Sequence, residues 1–324
     1  MTTRRALLGA ATGTAALLAA PRIALAAWPA DRAIEVIVPF PPGGGVDNMV
    51  RPIIHFVQPR LPGARFAVVN RAGAAGQLGF EANFNAAPDG YTLGAVTNTA
   101  MHAIAVERRP RYRPEDFTYI ANVVDDPGGF WVRADSPWRT LADVQAAARR
   151  NPEGIGVGTA GIGSDDHLLQ LGFEEAAGCR LLHVPYNGTA PVMRDVLGGS
   201  LPIGSLNMSE GLQMLREGRM RCLGQGGPTR WAPTGEVPTF REQGFDVLGG
   251  SARGIAGPPG MPAEIVERLR TAFREALSDP AMIADAERTG MPLRPLIGED
   301  YKRMMAEDFA AIRGLWQRRP WREG

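Results

Sequence analysis

"VIVPFPPGGGVDNMV" (Val36–Val50) carries an apolar run into two prolines, three consecutive glycines and an acidic residue, after which helical spacing begins. An apolar strand that hands over to a helix through glycines is the corner of a βα unit, and so points to a parallel sheet. Glycine has no Cβ, so backbone N–H groups there can face a ligand at close range. A helix starting just beyond adds unpaired N–H donors and the positive end of its dipole. A tight turn that binds nothing would read the same way. The corner therefore speaks for fold class before function.

Strands and helices alternate outward from it. "IEVIVPF", "FAVVN" and "YTLGAVT" read as strands, while "VDNMVRPIIHFVQPRL" reads as a helix interrupted or bent near Pro52 and "GQLGFEANFNAA" as a second helix. A second series follows "DFTYIANVVDDPGGFWVRAD", with strands "IGVGTA", "LLHVPY", "LPIGSLN" and "RCLGQGG" between helical segments. After it come three helical stretches, "PAEIVERLRTAFREALSDP", "AMIADAERTG" and "GEDYKRMMAEDFAAIRGLWQRR", with no strand expected between them. In the first of these Ile265, Leu269, Ala272, Phe273, Ala276 and Leu277 form one apolar stripe that must pack on something, most economically the first domain. The chain is thus expected to form one domain from 27–124 plus 249–324 and another from 125–248, with two crossings and a cleft between. Gly128-Gly129 and Gly249-Gly250 lie at those crossings, where a hinge needs backbone freedom.

The N-terminus has a separate role. Met1–Ala26 contains Arg4-Arg5, an apolar run of small residues and Ala24-Leu25-Ala26, the layout of an export signal with a cleavage site. "TRRALL" resembles a twin-arginine signal, and a general secretory signal is the alternative. Removing this leader leaves 32 basic against 34 acidic residues. Without a basic block the chain has no electrostatic footprint for nucleic acid. Cys179 and Cys222 adjoin strands and read as small buried hydrophobes, although an oxidising compartment permits a bridge. These two and four scattered histidines show no metal-ligand spacing, so neither metal nor cofactor is expected.

"IGVGTAGIGSDDH" (Ile155–His167) repeats the opening design in the second domain. Ser164 can cap the helix that follows, and Asp165 and Asp166 suit its first turn. Two such loops facing one cleft would grip an anion, most plausibly a carboxylate, through main-chain N–H groups.

Seven motifs in one order then carry a resemblance: "VPFPPGGGVDNMVR", "VVNRAGAAGQLG", "APDGYTL", "GTAGIGSDDHL", "HVPYNGTAPVMRDVLGGSLPIG", "EVPTFREQGF" and "GPPGMPAEIVERL". From about Ile34 onward the chain resembles the extracytoplasmic solute receptors of tripartite tricarboxylate transporters, the Bug family. The resemblance implies an α/β, two-lobe type II periplasmic-binding-protein fold, each lobe a mostly parallel sheet flanked by helices, joined by two crossing strands. It implies a monomeric periplasmic receptor that closes on a small organic acid and delivers it to membrane subunits, or reports it to a sensor kinase. By motif the first jaw is Phe40, Pro41, Gly43, Gly44, Gly45 and Asp47. Asp47 either touches ligand or caps the next helix. The second jaw is Thr159, Ala160, Gly161, Gly163 and Ser164. Thr97, Asn98 and Asn207 are further candidates, with strand-end capping as the plainer role.

Enzymatic readings fit less well. "PFPPGGGVD" is not the dinucleotide fingerprint, and "GIGSD" is not a nucleophile elbow. No catalytic residue is assigned, and an exported α/β enzyme acting on an organic acid stands as the alternative. His167 is expected to support its loop, and His183 to be a strand histidine with a satisfied hydrogen bond. Tyr186 could stack on a ligand or pack beside Pro185.

Overall fold

A computed structural model describes residues 28–186 and 188–321; the expected leader Met1–Ala26 lies outside them. Strand β1 (Ile34–Val38) lies between β2 (Phe66–Asn70) and β3 (Thr92–Thr97), all parallel. The long strand β4 (Thr118–Arg133) serves two sheets. Its first part, Thr118–Pro127, pairs antiparallel with β9 (Gly250–Gly257), which in turn pairs with β3. Its second part pairs antiparallel with β7 (Ile203–Asn207) and β8 (Met220–Gln225). β5 (Gly156–Thr159) lies parallel between β7 and β6 (Leu182–Pro185). The architecture is α/β in two lobes, with each sheet mixed: parallel strands on the outside and antiparallel ones at the crossing.

The helices follow from apolar periodicity. α1 (Gly45–Val57) buries Met49, Val50, Ile53, Ile54 and Val57, and runs through Pro52 as one helix. α2 (Gln77–Phe84) and α3 (Asn98–Glu107) complete the first series. The second lobe carries α4 (Leu141–Arg150), α5 (Asp165–Ala177), α6 (Thr189–Gly198) and α7 (Met208–Arg216). α8 (Ala263–Leu277) presents the apolar stripe read from the sequence and joins the same buried cluster as α1 and β1. The other lobe has its own core, where Phe130, Phe173 and Phe240 meet edge to face.

The tail departs from expectation. Between α9 (Pro280–Thr289) and α10 (Glu299–Arg318) runs a strand, β10 (Leu293–Ile297), antiparallel to β4. Its sequence, LRPLI, does not alternate, and Pro295 speaks against a strand interior. An edge position with a shifted register tolerates both, and β10 has that shift between Leu293 and Leu296. At the end of α10 and beyond it the chain reaches both lobes. Arg319 bonds Glu174 of α5 and the Leu171 carbonyl, Arg318 pairs with Glu175 at 3.4 Å, and Trp321 donates to Glu107 of α3 in the first lobe.

The glycines at the crossing are there for proximity. Gly128 donates to the Gly249 carbonyl at 2.9 Å, and Gly249 to that of Gly226 at 3.0 Å. A Cβ on Gly250 would stand 2.4 Å from the Asp126 carbonyl, closer than any side chain allows. Cys179 and Cys222 are buried and unbridged. Among the described residues no helix is long and apolar enough to cross a membrane.

His102 sits fully buried in α3 against Phe309, and neither ring nitrogen has a hydrogen-bond partner among the described residues. Burial pushes its pKa down to about 3. The folded state thus refuses a proton that the unfolded chain accepts below about pH 6.5. Stability held above that pH is lost as pH falls towards 3, by about 1.4 kcal/mol per unit for one such group. His102→Leu should therefore flatten the acid limb of stability by about one proton. Urea unfolding at several pH values between 4 and 7 measures this; an unchanged slope would show that His102 is protonated in the fold.

Candidate functional site

A cleft of about 1470 Å³ opens where the C-terminal ends of strands from both lobes converge. In open α/β sheets this is the usual place for a ligand, because the βα loops gather there. Gly44 and Gly163, one from each glycine loop, both line it. Of the residues expected at the site, Phe40, Pro41, Gly43, Gly45, Thr97, Ala160, Gly161, Ser164 and Asn207 line it too. Asp47, Asn98 and Thr159 do not.

Asp47 instead builds the first loop. Its buried carboxylate accepts from Gly43 N at 3.0 Å, from Arg51 Nε and Nη2 at 2.9 Å and from Asn70 Nδ2 at 3.0 Å. Asn70 Nδ2 also donates to the Phe40 carbonyl at 3.0 Å, so the loop is tied at both ends to the tip of β2. The Arg51 guanidinium, chief among these partners, holds the Asp47 pKa down to about 2. The Asp47 carboxylate is thus a clamp that bends the loop back.

With Asp47 so engaged, the start of α1 stays open. Gly44 is its N-cap residue, and no side chain caps the helix. The first internal bond is Asn48 N to the Gly44 carbonyl, which leaves the N–H groups of Gly45, Val46 and Asp47 without acceptors among the described residues. Beside them lies Arg253 of β9, only 7% exposed and in register with Thr97. Its Nε donates to Ser251 Oγ and its Nη2 to Asn207 Oδ1, each at 3.1 Å, and Nη2 lies 3.6 Å from Asp126. Nη1 faces Gly45, where a Cβ would stand 2.5 Å away. The glycine triplet now has reasons: Gly43 takes a left-handed φ of 79°, and Gly45 leaves room for the guanidinium.

Sequence reading missed Arg253. Its only signal was a lone charge inside the strand-like run "ARGIAG", where an arginine is seldom buried unless paired.

The second loop is more self-bonded than the first. Ser164 caps α5 through His167 N at 3.2 Å, as expected. Four of the loop's main-chain donors are engaged. Ala160 N bonds Asp166 Oδ2 at 3.0 Å, Gly161 N bonds Thr159 Oγ1 at 3.3 Å, and Gly163 N bonds His167 Nδ1 at 3.2 Å. Ser164 N turns to the Gly161 carbonyl at 3.2 Å. His167 stacks flat on His183, centroids 3.7 Å apart, and His183 Nε2 meets Thr159 Oγ1 at 2.7 Å. Burial pushes both imidazoles down, His167 to about 3, so they prop the loop as neutral rings. Both histidines thus hold the supporting places expected of them. Tyr186 lines the cleft with its hydroxyl donated to Asp195 at 2.8 Å. Asn98 braces β9, accepting from Ala252 N at 3.0 Å and donating to Asp308 at 2.8 Å.

What this wall presents is carboxylate. Asp165 accepts from Asn207 Nδ2 at 2.9 Å, and Glu210 accepts from Asn207 N at 3.0 Å and Thr189 Oγ1 at 2.9 Å. Asp126 accepts from Ser209 N at 3.1 Å. Burial raises the pKa of Glu210 to about 7 and that of Asp126 above the carboxylate range. Burial, with Asp165 and Glu210 adding repulsion, also raises Asp166 well above the usual carboxylate range.

Comparison with known proteins agrees with this architecture. Residues 60–319 match the family described as "Tripartite tricarboxylate transporter family receptor". Protein BugT of Bordetella pertussis is 31% identical over 287 residues, 87% of either chain. Among solved structures, a TctC solute-binding protein from Polaromonas is 32% identical with a TM-score of 0.77, covering 90% of this chain and all of the other. The R. palustris protein Rpa4515, solved with adipate, is 28% identical with a TM-score of 0.80, covering 90% of this chain and 97% of its own. With one family spanning most of its length, a two-lobe frame and a cleft at the strand ends, the chain belongs to the tripartite tricarboxylate transporter receptors, which bind solutes.

Proposed function

We propose that this receptor captures a small organic solute through a carboxylate seated at the start of α1, and catalyses nothing. The observation that carries this reading is the uncapped first turn of α1, its free N–H groups opening on the cleft beside Arg253 Nη1. Dipole, donors and guanidinium all favour a negative group at one point. The adipate held by Rpa4515 supports a carboxylate-bearing solute. The contact residues are Gly44, Gly45 and Arg253, with Phe40, Pro41, Thr97 and Asn207 forming walls. Gly43, Ala160, Gly161, Gly163 and Ser164 shape the cleft rather than donate to the anion.

In the same reading the lobes are 27–124 plus 249–324 and 125–248, and they close about the β4–β9 crossing. Closure is driven by the ligand's preference for the closed form. The protein works as a monomer in the periplasm after its leader is removed, and the membrane subunits of the transporter recognise the closed form. A sensor ectodomain could read the same surface, and pull-down against both partners separates the two roles.

A thermal-shift screen of mono-, di- and tricarboxylates against their methyl esters tests the anion site. At least one acid should raise the melting temperature while its ester does not; equal shifts would remove the anion site. Gly45→Val should weaken the best acid by about tenfold or more, since its Cβ meets Arg253 and its methyl groups fill the cleft. Its circular dichroism should be unchanged, because Gly45 does not have a positive φ. Full binding by a folded Gly45→Val protein would place the anion elsewhere.

A further inference from the structure

Helix α5 lies like a lever across the junction of the lobes. Its start carries the second loop, through the Ser164 cap and the bond from Gly163 N to His167. In its middle Leu169 packs on the crossing, where a Cβ on Gly128 or on Gly249 would stand 2.9 Å from its side chain. Its far half is gripped from outside. Arg319 donates to the Glu174 carboxylate and, from Nη1 at 3.5 Å, to the Leu171 carbonyl, while Arg318 pairs with Glu175 at 3.4 Å. These arginines stand at the end of α10, whose body is fixed to the first lobe. Tyr301 and Met305 share a buried cluster with Met101 and Ile104 of α3, and Phe309 packs on His102. Trp321 then turns back to Glu107 of α3. A Cβ on Gly163 would lie 2.5 Å from Glu107 Oε1 and 3.4 Å from Trp321 Nε1, so the second loop rests where this segment is anchored.

The grip has a ready substitute. The Glu174 side chain is only 2% exposed, and a buried carboxylate that loses its cation is costly. Inside its own lobe, however, Glu174 also accepts from Leu181 N at 3.1 Å and Gln170 Nε2 at 2.9 Å, with Arg180 Nη1 at 3.6 Å. Departure of Arg319 therefore leaves the carboxylate bonded and paired.

Resting on the reading that the lobes close about the β4–β9 crossing, we propose that residues 318–321 form a strap between the lobes. Fastened, it holds the empty receptor near its closed arrangement; released, with Glu174 passed to Arg180, it lets α5 swing and the cleft open. A solute then meets a receptor in which part of the closure is already made.

Small-angle X-ray scattering of the mature protein tests this. Without added solute, an Arg319→Ala, Trp321→Ala double variant, folded by circular dichroism, should have a larger radius of gyration than the wild type. Arg180→Ala, which leaves Glu174 to Arg319, should not. If the double variant does not fold, Arg319→Gln alone carries the same comparison. A mixture of succinate, adipate and citrate should then contract the double variant more than the wild type. Equal radii without solute, with equal contraction by the acids, would overturn the strap and leave lobe closure standing. Equal radii that no acid changes would overturn both. A larger variant radius that the acids do not reduce would keep the strap and overturn the carboxylate solute.

Discussion

The guanidinium of Arg253 is the point on which the molecule turns. It stands on β9 and joins Ser251 of its own strand to Asn207 at the head of α7, with Asp126 of β4 close by and Gly45 of the first loop against its free edge. A buried charge is costly unless paired and hydrogen-bonded, and here Ser251, Asn207 and Asp126 meet that requirement, while Gly45 leaves room for the free edge. Those groups come from the crossing, from the far lobe and from the mouth of α1. One side chain therefore ties the crossing to the far lobe and the mouth of α1.

How much of this was legible in the sequence depends on the range of the interaction. The βα corners were readable because glycine, proline and an apolar run are local signals, and so was the Ser164 cap. The stripe of α8 was readable because helical spacing is local too. β10 was hidden by Pro295 and a broken alternation, since only its place beside β4 makes such a run a strand. Arg253 was hidden for a different reason: its partner Asn207 lies 46 residues away, and no local pattern announces it.

The site shows the sharper limit. Both loops have the same grammar of strand, glycines and helix, which is why both read as jaws. They differ in where nearby side chains turn. Asp47 bends back to Gly43 and leaves three donors of α1 open, whereas Asp166 and His167 bend back onto Ala160 N and Gly163 N of the second loop. Side-chain direction at a helix start depends on what lies beneath it, here Asn70 on one side and the stacked His183 on the other. Composition could give the number of donors but not how many are already engaged.

The contacts at the end of α10 have a bearing on the order in which the lobes are completed. The second lobe is an excursion from the first, whose β9 and β10 emerge only after residues 249 and 292. The second lobe's own strands are all synthesised earlier, so it can take shape while its host remains incomplete. Arg318, Arg319 and Trp321 come later still than β10, and they draw α5 and α3 together. The tie between α5 and α3 thus comes from a segment that follows every strand of both sheets.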